Sequence, residues 1–219
     1  MKGYVRSIFY WAYNMEKMFL SMLGTILVIF AFYAFIDMDG TYWNEWMVNY
    51  IPMLGIIFPI AEGLNMSNQL VPLALSYGSR RKETAWGVIV MSHVVMLQLW
   101  IFALISHSLL NAVYEADSYL MLCGMIFLVS CGIGNGLGAV VLRFGNKIGM
   151  IIYIVMIFLV AGGIGIVSAL SGLPFSGFNA ALSPLSPVGS AGILAAVIVF
   201  DAVMAVAFYL GIRRYEVRV

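Results

Sequence analysis

Charge is what this chain has least of. Only 10% of its 219 residues are Asp, Glu, Lys or Arg, and 63% are apolar. Soluble domains run about 25% charged and about 45–50% apolar. Mean hydropathy is +1.00. A water-soluble fold of this size still exposes a large share of its area, and so few polar side chains cannot cover it. Lipid is the expected solvent. The net charge of +1 leaves no field that would draw the molecule to nucleic acid. Cysteine and histidine number two each. Cys123 and Cys131, eight residues apart in one apolar segment, would stand about 12 Å apart on a helix, too far for a disulfide. They read as packing residues, with ligand or redox roles as the alternative. There is no HExxH, no GxSxG and no third ligand in view for His93 and His107. No catalytic residue, metal site or cofactor of the chain's own is therefore expected. The first apolar run is too long for the core of a signal peptide, and no small-residue cleavage site follows it.

What is present is six long apolar runs, at about 18–36, 46–66, 85–106, 119–142, 148–170 and 191–211. Each meets the roughly 20 residues that a membrane-crossing helix needs. None shows the ten-residue alternation of a membrane β-barrel. The expected fold is an all-α membrane protein of six transmembrane helices over 18–219, preceded by an interfacial amphipathic helix at 1–17. In that first segment Val5, Ile8, Phe9, Ala12, Met15 and Phe19 recur at helical spacing, with Lys2, Arg6, Tyr10, Asn14 and Lys17 elsewhere round the wheel. An early start to the first span is the alternative.

The basic residues orient the runs. All eleven fall before the first run, between the second and third, between the fourth and fifth, or after the sixth. The opposite loops carry Asp37, Asp39, Glu45, Glu115 and Asp117, with no basic residue. By the positive-inside rule both termini are cytosolic.

Residues 68–83, NQLVPLALSYGSRRKE, are expected to be a cytosolic loop holding a short apolar helix. Gly78 suits a helix stop, and Ser79 can cap the next span, with Glu83 in its first turn. Arg80, Arg81 and Lys82 sit at the positive end of that helix dipole, unfavourable by roughly 0.3–1 kcal/mol each. Anionic headgroups or a partner docked on the apolar helix would offset this.

The run Leu73-Ala-Leu-Ser-Tyr-Gly-Ser-Arg-Arg-Lys82 resembles a segment of small permease subunits of bacterial ATP-binding-cassette transporters of the type 2 exporter class. The match in motif covers about ten residues; the match in architecture covers most of the chain. The resemblance implies that Leu70, Leu73, Leu75, Ser76, Gly78, Arg80, Arg81 and Lys82 form a coupling element that fits a groove on a separate ATPase subunit. ATP and magnesium would be bound by that partner, and a second copy or homologous permease would complete the channel in the bacterial cytoplasmic membrane. The family's short helices before its last span would correspond to residues 171–190. That stretch contains Pro174, Pro184, Pro187, Phe175 and Phe178, and reads as an outer loop or a re-entrant gate.

Two acids lie inside apolar runs. Asp201, about 15 Å into the sixth, costs about 2.5–3.5 kcal/mol on insertion scales unless it faces protein or water. His93 and Asn135, about 12 and 10 Å from the inner face, are its depth-matched partners. Structural burial and a role in the substrate path remain alternatives for Asp201. Glu62, with Asn65 and Gln69, reads as snorkelling to the inner surface or anchoring the loop, with substrate contact as the alternative. Pro52, Gly55 and Pro59 are expected to bend the second span. The fourth run contains two overlapping GxxxG pairs, Gly132/Gly136 and Gly134/Gly138. They suit close packing within the chain, a dimer seam or a broken pore helix. The expected function is an exporter permease for a hydrophobic, peptide or lipid-like substrate. A substrate-binding subunit of a vitamin-type importer and a non-transporting assembly or immunity protein are the rivals.

Overall fold

A computed structural model describes residues 2–36, 43–109, 116–156, 158 and 187–215. The elements, in chain order, are α1 (Lys2–Ile36), α2 (Trp43–Asn65), a five-residue π-turn (Met66–Leu70), α3 (Val71–Ser76), α4 (Arg81–Leu109), α5 (Ala116–Phe144), α6 (Asn146–Met156) and α7 (Pro187–Arg214). No strand occurs among the described residues. Three helices, over Arg81–Ser108, Tyr119–Phe144 and Ala191–Arg214, are long and apolar enough to cross a membrane. The chain is thus all-helical and has the helices of a membrane protein. The expected fifth run at 148–170 is described only as far as α6 and Phe158, and the 171–186 part of the expected outer loop or gate lies outside the described residues. Pro187 is the first residue of α7 rather than part of a loop, a position where its missing N–H is not needed.

Two boundaries differ from expectation. Residues 1–17 do not form a separate element, because α1 runs unbroken from Lys2 to Ile36. Its 35 residues cover about 52 Å, enough for a span plus several turns beyond it. No Gly or Pro lies near residue 17 to break it, and an amphipathic pattern and an apolar one are compatible with the same helix. Trp11, Met15 and Phe19 on this helix are buried in the core, and α1 packs on α4. The N-terminal segment is therefore docked on protein along one stripe, while Phe9 and Tyr13 stay exposed.

The second difference concerns 68–83. α2 continues through helical backbone at Asn65, Leu70 and Val71 into α3, so the apolar segment prolongs the second helix instead of sitting in a loop. The π-turn inserts one residue into the hydrogen-bond register, and Ser67 donates to the Gly63 carbonyl at 2.8 Å. Only Tyr77–Arg80 form the connection to α4. The stop itself is a Schellman turn. Gly78, at φ +82°, donates to the Leu75 carbonyl at 3.1 Å, and Ser79 donates to that of Ala74 at 3.0 Å. The second sharp turn also rests on a left-handed glycine, closed by one hydrogen bond from the Gly145 N–H to the Val141 carbonyl at 2.8 Å. Gly145, at φ +90°, ends α5 and folds α6 back toward it. There Ile152 and Tyr153 pack on the cluster of Ile60, Leu64, Leu137 and Val141.

α5 is the centre of the bundle, packing most extensively on α7 and α2 and also on α4. Its glycines explain why. A methyl group at Gly134 would collide with the Pro59 carbonyl, and one at Gly63 with the backbone of Gly134, so α2 and α5 meet backbone to backbone. A Cβ on Gly138 would strike Ser67. Gly132 and Gly136 face the other way, where a Cβ would stand 3.2 Å from the Asp201 Cα and 2.9 Å from the Met204 sulfur of α7. The two GxxxG pairs serve two different intramolecular contacts, and α5 is unbroken through both. In lipid, helices gain little from hiding apolar surface from one another; close van der Waals contact between small residues is what associates them.

Candidate functional site

At one end of the bundle, Arg81 donates from its guanidinium to the Arg213 carbonyl at 3.2 Å. This contact joins the start of α4 to the end of the antiparallel α7. His93 lies twelve residues after Arg81, and Asp201 twelve residues before Arg213. Each is about 18 Å along its helix from the shared contact. The two side chains meet at that level: His93 Nε2 and Asp201 Oδ2 are 2.7 Å apart.

The other ring nitrogen defines the protonation of the pair. His93 Nδ1 lies 2.8 Å from the Ile89 carbonyl, which can only accept, so Nδ1 carries a hydrogen. A single further proton then lies between Nε2 and Oδ2. Whether it sits on the ring or on the carboxyl, the pair as a whole is neutral. Such a pair meets the cost of an isolated intramembrane charge, and leaves one oxygen over: Asp201 Oδ1 is buried with no hydrogen-bond partner.

Gly132 sets up the neighbourhood by letting the backbone of α7 at Asp201 approach α5. This brings Cys131, the residue before Gly132, into the same cluster. A donor atom of His93, of Cys131 and of Asp201 all lie within 4.8 Å of one another. His93 thus has beside it both Asp201, its depth-matched partner, and Cys131, which reading along the chain does not join to the pair. A signal for it was present: Cys131 is twelve residues before Arg143, at the basic end of α5, the same interval that separates His93 and Asp201 from their arginines.

The remaining expected polar residues are divided. Asn135 is buried one turn from Cys131, and its amide nitrogen lies 3.8 Å from the Cys131 sulfur. Glu62 does not snorkel. It is buried on α2, 2% exposed, with Oε1 unpartnered, and the Cys131 thiol lies within electrostatic reach of both Glu62 and Asp201. The three-residue face expected for Glu62, Asn65 and Gln69 is graded: Glu62 is buried, Asn65 half-buried and Gln69 exposed. The reason is the tight α2–α5 contact at Gly63, which seals the Glu62 level from solvent. His107 is half-buried and stacks on Tyr119, with ring centroids 5.3 Å apart.

The second candidate region is the end of the bundle near Arg81. On α3 and its flanks, Val71 and Ala74 are buried and Leu70, at the end of the π-turn, and Leu75 half-buried, while Leu73 (42% exposed) and Tyr77 (80%), just past the helix, project outward one turn apart. Ser76, Gly78, Arg80, Arg81 and Lys82 are exposed beside them. Ser79 accepts a hydrogen bond from the Thr84 hydroxyl at 2.9 Å, and Glu83 stands in the first turn of α4. A cavity of about 900 Å³ opens nearby between the π-turn, α5 and α7, with Asn68, Arg143 and Arg214 in its wall. Basic residues of three chain segments, Arg80–Lys82, Arg143 and Arg213–Arg214, therefore gather at one end of the helices. The chain matches no protein-family model, no curated protein and no solved structure.

Proposed function

We propose that this protein is a permease subunit of an ATP-binding-cassette transporter, exporting a hydrophobic, peptide or lipid-like substrate. In this reading it crosses the bacterial cytoplasmic membrane six times, with both termini in the cytosol. A separate ATPase subunit binds ATP and magnesium, and a second permease copy or homologue completes the path. The observation that carries the reading is the α3 end. A short helix rigidly continuous with α2 presents Leu73 and Tyr77 to solvent, closed by the Gly78 turn and flanked by Arg80, Arg81 and Lys82. An exposed apolar pair at a charged helix end suits a groove on a protein partner. Its continuity with α2 supplies the mechanics. A push on α3 would be transmitted to the backbone contact of Gly63 with Gly134, and so to the bundle centre, giving the rocking of helices that alternating access requires. The glycine-lined contacts of α5 with α2 and α7 are where such a displacement would be taken up.

The test is to purify the tagged full chain from its native membranes and assay for a bound ATP-hydrolysing subunit. Leu73→Asp alters only an exposed side chain, so the permease should still insert while the retained ATPase falls by at least tenfold. Arg80→Gln should lower it far less, because exposed charges contribute about 0–1 kcal/mol. Recovery of the wild-type chain with no ATPase bound, or undiminished binding in Leu73→Asp, would remove the basis of the reading.

A further inference from the structure

We propose that His93, Cys131 and Asp201 form an intramembrane site for one borderline-soft divalent transition-metal ion, of which Zn²⁺ is the type. The three residues come from α4, α5 and α7, and their donor atoms already lie within 4.8 Å of each other. Four-coordinate zinc binds nitrogen and oxygen at about 2.0–2.2 Å and sulfur at about 2.3 Å, which places ligand atoms about 3.3–3.6 Å apart. Reaching that arrangement requires the 2.7 Å His93–Asp201 separation to open by about 0.6 Å and the thiol, which lies within 4.8 Å of the other two donors, to close by at most about 1.3 Å.

Four further observations favour a metal. His93 Nδ1 donates to the Ile89 carbonyl, the outer contact that in metal sites fixes the tautomer and aims Nε2 at the ion. The donor set mixes thiolate, imidazole and carboxylate, which suits zinc-like ions and discriminates against calcium and magnesium. Asp201 Oδ1 is a buried oxygen with no partner, and buried polar atoms are rarely left so. Finally, the charges balance. A neutral imidazole, a thiolate and a carboxylate cancel a dication, so the loaded site is neutral in a low-dielectric interior where net charge is expensive. Binding displaces the thiol proton and the proton shared by His93 and Asp201, so two protons leave for each ion that enters. Three protein ligands leave the fourth position open. Glu62 on α2 is a further buried carboxyl of the bundle, with Oε1 unpartnered. The inference rests on these residues alone and holds whether or not the chain is a permease.

Titration of the chelator-treated full chain, in nanodiscs, with Co²⁺ as a spectroscopic stand-in tests it. One Co²⁺ per chain should bind, giving a thiolate-to-cobalt charge-transfer band in the near ultraviolet that Zn²⁺ abolishes by displacement. Cys131→Ser should remove the band and weaken Zn²⁺ at least tenfold in competition with a chromophoric chelator. Cys123→Ser, on the same helix but outside the cluster, should leave both unchanged. A wild-type spectrum without the thiolate band would overturn the site, and this readout stands even if the variant fails to fold. Persistence of the band in Cys131→Ser, or its loss in Cys123→Ser, would overturn it equally.

Discussion

α5 and α7 are both long apolar helices, yet 61% of the membrane-length window of α5 is buried inside the protein against 11% of that of α7. In water the more apolar helix would be the more buried. In lipid that rule has no force, because acyl chains solvate Val and Leu as well as another helix does. α5 occupies the centre because it carries Gly132, Gly134, Gly136 and Gly138, which allow close backbone approach, together with the polar Ser130 and Asn135, which are kept out of lipid. α7 presents one stripe to it, Asp201, Met204, Phe208 and Ile212, and turns Ile198, Val199, Val203 and Val206 outward. Small size and polarity sort inside from outside here.

The comparison is broken most readily by filling a glycine contact. Gly134→Leu would drive a side chain into the Pro59 carbonyl, where backbone rather than a flexible side chain must yield. The expected loss exceeds about 3 kcal/mol, the upper range of overpacking. The same change at Gly24 of α1 or Gly192 of α7, where an added Cβ meets nothing within 4 Å, should cause no loss, because helix propensity favours leucine over glycine by up to about 1 kcal/mol. Thermal unfolding in one detergent compares all three. Similar losses at the three positions would show that the tight contact at Gly134 is not what the substitution disturbs.

Much of this arrangement could be read along the chain, and some could not. The apolar runs that became α4, α5 and α7 were evident from length, and the helix stop at Gly78 followed from the conformation only glycine adopts readily. That Asp201 required a partner at its own depth was also evident, and His93 was one of two candidates. What a single sequence does not encode locally is rotation about each helix axis. Which glycines face α2 and which face α7, and whether Glu62 points to the surface or the core, depend on that rotation. Packing and ligand roles for Cys131 stay unresolved along the chain for the same reason, since its relation to His93 exists only once α4, α5 and α7 are placed side by side. The continuity of α1 and of α2 into α3 was hidden differently. A change from amphipathic to apolar pattern resembles a boundary, but the helix requires no break there.

A smaller effect sharpens the outer half of the comparison. Val203 is 58% exposed on α7, and Val203→Ala should change the stability of the isolated chain by less than about 0.5 kcal/mol. A loss in the range of about 1 kcal/mol or more would mean that this face is covered by protein in the detergent-solubilised state rather than by detergent or lipid.

The central claim is that the polar residues inside these apolar helices act together, tying α4 to α7 through His93 and Asp201. A double-mutant cycle of His93→Gln and Asp201→Asn on reversible unfolding in bicelles tests this most directly, because only the cycle isolates the pair. The coupling energy should exceed about 0.5 kcal/mol, within the range of about 0.5–3 kcal/mol found for residues in contact. A value within the scatter of about 0.3–0.5 kcal/mol expected of independent sites would contradict it.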